Sequence, residues 1–209
     1  MQKTKGFTLI ELLIVIAIIA VLAVVVVLTL NPAELLRQAR DSTRLSDVAA
    51  INGALSFYLA DQVDGFGSLS GCYVHEGNDG SIAINMADTN GTDDCQELGF
   101  TTALTDTVAV GATARDVDGN GWIPLDFTDI SSGQPFGILP VDPVNSVDPN
   151  PELTVDGNYY ALALDGANSQ YKLITNMEST KFSSGPSNVE DTDGGDVSTL
   201  YEAGNDLSL

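Results

Sequence analysis

An unbroken apolar stretch near the N-terminus constrains this chain more than any other feature. Residues 12–30 contain only Ala, Val, Ile and Leu apart from Thr29, and no charge follows Glu11 until Glu34. As a helix the stretch would extend roughly 28 Å at about 1.5 Å per residue, close to the ~30 Å hydrocarbon core of a bilayer. A soluble helix rarely stays apolar on every side over this length, so the stretch predicts a membrane-spanning helix.

A secretory signal peptide is the main alternative for this stretch. Its apolar region is usually about 7–15 residues long and ends at a small-residue cleavage site, whereas the stretch here is longer and ends at Asn31-Pro32. A retained helix is therefore the favoured interpretation. Lys3 and Lys5 flank it on the N-terminal side, which predicts a single-pass chain with a cytoplasmic N-terminus and an outward-facing remainder.

Glu11 is a carboxylate at the start of an otherwise apolar helix, and a charge at the bilayer centre costs roughly 2.5–3.5 kcal/mol on insertion scales. In one interpretation it reaches the headgroups and gains from the positive end of the helix dipole. In the other, cleavage between Gly6 and Phe7 creates an α-amino group that neutralises Glu11, supplied by the same chain or by a neighbouring subunit. We favour the second interpretation, which predicts an assembly role for Glu11.

The residues around this acid, K-G-F-T-L-I-E-L-L, resemble the class III leader of type IV pilins and type II secretion pseudopilins. The resemblance covers residues 1–60 and implies that a prepilin peptidase cuts after Gly6 and methylates Phe7. It also implies that the chain forms a helical homopolymer with the help of pilus or secretion machinery. Such a subunit starts in the bacterial cytoplasmic membrane and ends in a cell-surface or periplasmic filament.

The resemblance implies a leader peptide (1–6), and the pattern of the remaining sequence predicts a transmembrane helix (7–30), an amphipathic continuation (31–60) and an extracytoplasmic β-rich head (61–209). Pro32, with Asn31 as N-cap, predicts a kink or a restart of the helix. In the continuation, apolar residues at helical spacing predict a stripe packed on the head, and charged residues predict a solvated face. The stripe comprises Leu45, Val48, Ile51, Leu55, Tyr58 and Leu59, and the charged positions are Arg37, Arg40, Asp41, Arg44 and Asp47.

The head is predicted to be rich in short strands, because Asp-Gly and Asn-Gly turn signals separate short apolar runs. We expect a strand at 122–127, limited by Pro124, and a hairpin of 158–164 with 170–177. Three or four antiparallel strands after one long helix give the α+β class, with the helix packed on a small sheet as in pilins. The Ser-, Gly- and Asp-rich segment 183–196 is predicted to be loosely ordered.

Cys72 and Cys95 are the two cysteines of the chain. An outward-facing head is an oxidising setting, so a disulfide is favoured over two reduced, buried thiols. A disulfide between them would close a loop of about 24 residues, for which the chain-entropy relation gives a stabilisation of roughly 3.4 kcal/mol. A zinc site is disfavoured because His75 is the single histidine and no fourth ligand is evident.

Asp116, Asp118 and Asn120 open a loop, D-V-D-G-N-G, that matches the first half of a calcium-binding loop. The closing bidentate Glu is absent, since Phe127 stands at its position. The loop therefore predicts either a Ca²⁺ site or a tight turn without a metal. The acidic stretch 191–196 is a weaker candidate of the same kind.

The charge balance limits the partners of the chain. With 29 acidic and 8 basic residues, the head should repel nucleic acid, and no catalytic motif points to an enzyme. Pro140-Val141-Asp142-Pro143 resembles a P-x-D-P turn of major pseudopilins, but Val144-Asn145 replaces the Trp-Gly that follows it there, which leaves pilus and secretion subunits open. The alternatives to a filament subunit are a membrane-anchored surface binding domain with an acidic head, with or without bound calcium, and an anchored or secreted hydrolase.

Overall fold

The computed structural model describes residues 6–75, 100, 115–144 and 158–209. Two long helices are followed by four strands, with a 3₁₀ turn and a short helix in the connections. This arrangement confirms the predicted α+β class. The elements are α1 (Leu9–Leu30), α2 (Pro32–Asp61), β1 (Ser70–His75), the 3₁₀ turn (Phe127–Asp129), β2 (Tyr160–Asp165), β3 (Gln170–Thr175), α3 (Thr180–Ser183) and β4 (Tyr201–Gly204).

The two long helices meet at a break at Asn31. Asn31 has left-handed backbone angles (φ 41°, ψ 71°) that end α1, and Pro32 begins α2, where its missing N–H needs no partner. The predicted restart is confirmed. Asn31 makes no side-chain cap; its carbonyl oxygen instead accepts the N–H of Glu34 at 3.0 Å.

The four strands form one antiparallel sheet in the order β1-β2-β3-β4. Tyr160 lies opposite Thr175, and Asp165 lies opposite Gln170, so the hairpin predicted for this part of the chain is confirmed. Apolar and polar residues alternate only weakly along β2 and β3, because almost every residue of these strands is buried. A strand that is buried on both faces needs a near-continuous apolar sequence.

The two faces of the sheet have different covers. The hydroxyls of Tyr160 and Tyr171 donate hydrogen bonds to Asp47 (2.9 Å) and to Oδ1 of Asn52 (2.7 Å) on α2, so their face lies against α2. Because side chains alternate along a strand, the neighbouring Lys172 lies on the opposite face. It is nevertheless fully buried there.

The packed stripe of α2 agrees with its predicted position, since Val48, Ile51 and Leu55 are fully buried. The predicted solvated face is wrong at two residues. Asp41 and Arg44 are also fully buried, because residues far along the chain supply partners for their charges.

Arg44 is the centre of a buried ion cluster that joins α2 to the head. Its guanidinium donates to both carboxylate oxygens of Asp142, at 2.6 and 3.0 Å, and to Oδ1 of Asp41 at 2.7 Å. It also lies 2.6 Å from Glu178, which Arg40 contacts as well. Burial is the largest single effect and disfavours the charge, but the hydrogen bonds to Asp142 and Glu178 and their negative charges together outweigh it and raise the pKa of Arg44 above its usual value. The cluster gathers α2, the turn at Asp142 and the segment after β3.

Two segments differ from the sequence-based expectation. Residues 122–127 form no strand; the chain bends, and a single bridge pairs Asp118 with Asp126. Pro124 has no N–H for a ladder, and Trp122 is held instead by its indole N–H, which donates to the Pro140 carbonyl oxygen at 2.9 Å. The segment 183–196 is packed on the head through the buried side chain of Glu190.

We predict that Arg44→Met destabilises the head by about 3–5 kcal/mol, because it leaves buried carboxylates without their cation. Denaturant unfolding of the full chain in detergent, followed by the fluorescence of the single, buried Trp122, measures this loss. Arg37→Met is the matched control, because the half-exposed Arg37 makes a 4.0 Å contact with Glu34 that is worth less than about 1 kcal/mol. Equal losses in the two variants would contradict the role given to the cluster.

Glu190 predicts a pH dependence of stability. Burial raises its pKa to about 7, while its Oε1 accepts the N–H of Met177 at 2.9 Å. As pH rises, the unfolded state loses this proton near pH 4.5, whereas the native state keeps it up to about pH 7. The contribution of protonated Glu190 to the free energy of unfolding is fully present below about pH 4.5 and is lost as pH rises through 7.

Glu190→Gln keeps the acceptor but removes the titration. The unfolding free energy of this variant relative to the unmodified chain should rise between pH 4.5 and 7, by at most roughly 3 kcal/mol. Taking the difference cancels the other titrating groups. A difference that stays constant across this range would show that Glu190 is ionised in the native state.

Candidate processing and assembly site

The bond predicted to be cut lies in an open part of the chain. Gly6, Phe7 and Thr8 precede α1 in extended or irregular backbone. Among the described residues, no heavy atom would lie within 4 Å of a side chain added at Gly6, and Phe7 is 88% exposed. No described residue therefore blocks the Gly6–Phe7 bond, as a protease substrate requires. Lys3 and Lys5 of the leader lie outside the described residues.

Thr8 and Glu11 form a reciprocal cap at the start of α1. The Thr8 hydroxyl oxygen accepts the N–H of Glu11 at 3.3 Å. In return, Oε2 of Glu11 accepts the Thr8 N–H at 2.8 Å and the Thr8 hydroxyl at 2.7 Å. This capping box satisfies backbone donors that have no partner inside a helix, and it fixes the carboxylate at the end of the apolar helix.

Sequence reasoning gave Glu11 two roles and missed this third one. The signal was present, because Thr8-Leu9-Ile10-Glu11 is a T-x-x-E pattern directly before an apolar run. The cap is compatible with an intersubunit role. Both bonds reach Oε2, so within the described chain Oε1 of Glu11 is available to a further donor, and cleavage before Phe7 leaves the Thr8 N–H intact.

Helix α1 has no cover within the described residues. Leu9–Val27 is the one described helix that is long and apolar enough to cross a membrane, with a mean hydropathy of 3.4, and none of this span is buried. Glu11 is its single charged residue. A helix that is apolar on all sides must be covered by lipid or by protein.

The predicted cysteine pair is described at one end only. Cys72 is fully buried in β1 and is disulfide-bonded, while Cys95 lies outside the described residues. The pairing of the two therefore stays a prediction. Cys72 lies opposite Ala163 of β2, on the face of the sheet that points away from α2.

The predicted calcium loop is a compact turn. Oδ1 of Asp118 accepts the N–H of Asn120 at 3.2 Å, and Asp118 pairs with Asp126 across the loop. In the described part of the chain, no three acidic, His or Cys side chains converge on a position where they could hold a metal ion. The structure thus supplies a turn formed by Asp118 and Asn120, and Ca²⁺ binding by this turn together with Asp116 stays a prediction.

Comparison with known proteins identifies the N-terminal segment. Residues 1–27 match the family described as the prokaryotic N-terminal methylation motif. The chain carries a class III prepilin leader. This leader is the type found in type IV pilins and pseudopilins. No curated protein and no solved structure matches the chain.

The prepilin leader coincides with the structural features described above. The matched residues contain the exposed Gly6–Phe7 bond, the capping box of Thr8 and Glu11, and the membrane-length span of α1. The leader and the apolar helix together indicate that the chain is anchored in a membrane.

Proposed function

We propose that this chain is a structural subunit, a pilin or pseudopilin, of a type IV pilus-like or type II secretion filament. A prepilin peptidase cuts it between Gly6 and Phe7 and methylates the new N-terminus. The subunit then resides in the bacterial cytoplasmic membrane until assembly machinery adds it to a helical homopolymer. The observation that carries this proposal is a prepilin leader joined directly to an uncovered helix that is apolar on every side.

The apolar helix supports both stages of this life cycle. In the membrane, acyl chains cover α1, and in a filament the α1 helices of other copies cover it. Lipid tails are about as apolar as Leu, so moving from lipid to protein gains little hydrophobic free energy. Packing and polar contacts must therefore decide whether the subunits associate.

Glu11 is the polar group that is positioned to stabilise the association of subunits. An unpaired carboxylate among packed helices is strongly unfavourable, whereas a pair with the Phe7 amine of a neighbouring subunit removes most of that cost. Such a pair also fixes the axial register of helices that could otherwise slide past each other. Oε1 of Glu11, which the capping box leaves open among the described residues, is the atom that would accept the amine.

The head supports a structural role without an enzyme activity. In the described residues, its buried apolar side chains form one core that includes both faces of the sheet and the packed face of α2, and its acidic composition disfavours nucleic acid as a partner. The expected partners are other copies of the chain, the prepilin peptidase and the assembly machinery. Ca²⁺ at Asp116, Asp118 and Asn120 is a further ligand of the proposal and is not needed for assembly.

The first prediction of this proposal concerns processing. Coexpression with a prepilin peptidase should yield a chain that begins at N-methylated Phe7, because the Gly6–Phe7 bond is exposed. Mass spectrometry of the N-terminal peptide measures it. Without the peptidase the chain should keep residues 1–6. A start at Met1 in the presence of the peptidase, or a start near Asn31, would contradict the proposal.

The second prediction separates the charge of Glu11 from its cap. Glu11→Gln keeps a residue that can complete a capping box but removes the charge, so filament yield should fall at least about tenfold, since an unneutralised partner costs several kcal/mol. Thr8→Ala removes the cap partner and keeps the charge, so filaments should still form. Filaments in the sheared extracellular fraction, normalised to subunit in the membrane fraction, measure the effect.

The opposite pattern is equally informative. If Glu11→Gln assembles normally and Thr8→Ala does not, Glu11 serves α1 as a cap and not as a charge. Both variants should insert into the membrane and be cut after Gly6, because neither change alters the apolar span or the Gly6–Phe7 bond. A loss of membrane-bound subunit would move the defect from assembly to insertion.

A further inference from the structure

Lys172 is a fully buried lysine that a filament role does not explain. Its Nζ lies 2.7 Å from Oδ1 of Asp196, 2.5 Å from Oε1 of Glu202 and 3.2 Å from the carbonyl oxygen of Leu209. The ring of Phe100 lies 6.0 Å from the same nitrogen. One amine in β3 thus faces two carboxyl groups of the C-terminal segment, beneath an aromatic ring.

The backbone around this cluster is shaped to bring the groups together. A Cβ at Gly195 would lie 1.6 Å from Oε2 of Glu202, and a Cβ at Gly204 would lie 3.0 Å from the Cα of Lys172. Any other residue at either position would push the partners apart. The two glycines therefore permit a close approach that larger residues would prevent.

The two carboxyl groups of the cluster differ in their tendency to hold a proton. Burial raises the pKa of Glu202. Burial is also the largest effect on Asp196 and disfavours its ionisation, but the hydrogen bond and the positive charge of Lys172, with smaller contributions, together outweigh it and lower the pKa of Asp196. Glu202 is therefore the more readily protonated of the two groups.

Among the three side chains of the cluster, Asp196 is the one that reaches solvent in the described part of the chain. The side chains of Lys172 and Glu202 are completely buried, while that of Asp196 is 40% exposed. Oε2 of Glu202 is held by the N–H of Val197 at 3.0 Å, which keeps Oε1 directed at Nζ. The amine is thus shielded from water, while a small molecule released at Asp196 can leave.

We propose that Lys172 and Asp196 condense to an intramolecular isopeptide bond, with Glu202 as the proton carrier. The ammonium first gives a proton to Asp196, which leaves a neutral amine and a carboxylic acid. Nζ then attacks Cγ of Asp196, the N–C bond forms, and the hydroxyl of Asp196 takes the proton of Glu202 and departs as water. Glu202 recovers a proton from the nitrogen. An ammonium and a carboxylate are consumed, and one amide and one water are formed.

Two physical effects favour this condensation inside the fold. The reacting groups are held in contact by β3 and the packed C-terminal segment, which removes the entropy cost of bringing them together. The amide is neutral, so the reaction also removes a buried ion pair whose desolvation is costly. The product ties β3 to the segment before β4 and, like a disulfide, restricts the unfolded chain.

Tryptic digestion of the full chain from its membrane, after denaturation and reduction, tests the proposal. Trypsin cuts after Arg115, Lys172 and Lys181, so an unlinked chain gives 116–172, 173–181 and 182–209. An isopeptide bond blocks the cut at Lys172 and gives 116–181 joined to 182–209, lighter than their sum by one water. An ion pair does not survive denaturation, but a linear peptide 116–209 left uncut at Lys172 and Lys181 has the same mass as the linked product. Fragmentation must therefore show two N-termini, at 116 and 182, and place the bond between Lys172 and Asp196.

Variants of the cluster add controls. Lys172→Arg should release 182–209 as a linear peptide, because a guanidinium is a poor nucleophile, whereas Lys181→Arg should leave the link in place. Asp196→Asn should give a product of the same mass, with ammonia leaving in place of water, while Asp196→Ala should give linear peptides. Glu202→Gln should lower the linked fraction. Only linear peptides from the unmodified chain, or a bond at Glu202, would overturn the proposal.

Discussion

Within the described chain, none of the apolar span of α1 is buried. The proposed membrane and filament stages of the subunit both follow from that constraint. Each square ångström of apolar surface left in water costs about 25 cal/mol, so the helix must lie in lipid or against other helices. Because these two environments are nearly equal in hydrophobic free energy, the balance between them is set by the polar end of the helix. The capping box of Thr8 and Glu11 puts one carboxylate at that end, where it can stabilise the start of α1 and still accept a neighbouring amine.

The head is subject to a different constraint, which is the excess of acidic residues in the chain. Basic residues are scarce, 8 against 29 acidic residues, and two of those that the structure describes are completely buried. Arg44 gathers α2, the turn at Asp142 and the segment after β3. Lys172 gathers β3 and the C-terminal segment. Each buried cation joins stretches of chain that would otherwise repel one another, so the few basic residues determine how the acidic segments pack.

Periodic features of the fold could be predicted from the sequence, and long-range features could not. The spacing of Val48, Ile51 and Leu55 predicted the packed face of α2, and the turn between β2 and β3 predicted the hairpin. The burial of Arg44 was missed because its partner Asp142 is 98 residues away in sequence, and local spacing carries no information about it. The predicted strand at 122–127 failed because tertiary packing of Trp122 overrides a weak β pattern. For the site, the leader was recognisable from its residues, whereas the capping box was readable in the sequence and was overlooked.

Site-specific photo-crosslinking from α1 tests the central claim, that this helix exchanges lipid for copies of itself. A photoreactive residue in place of Ile18, which is 54% exposed in the single chain, would report what covers the helix in each cellular fraction. We predict crosslinks mainly to lipid in the membrane fraction, and crosslinks between α1 helices of two copies in the sheared extracellular fraction. A chain that crosslinks only to lipid, and that is absent from the sheared fraction, would show that α1 is a permanent membrane anchor and would contradict the account.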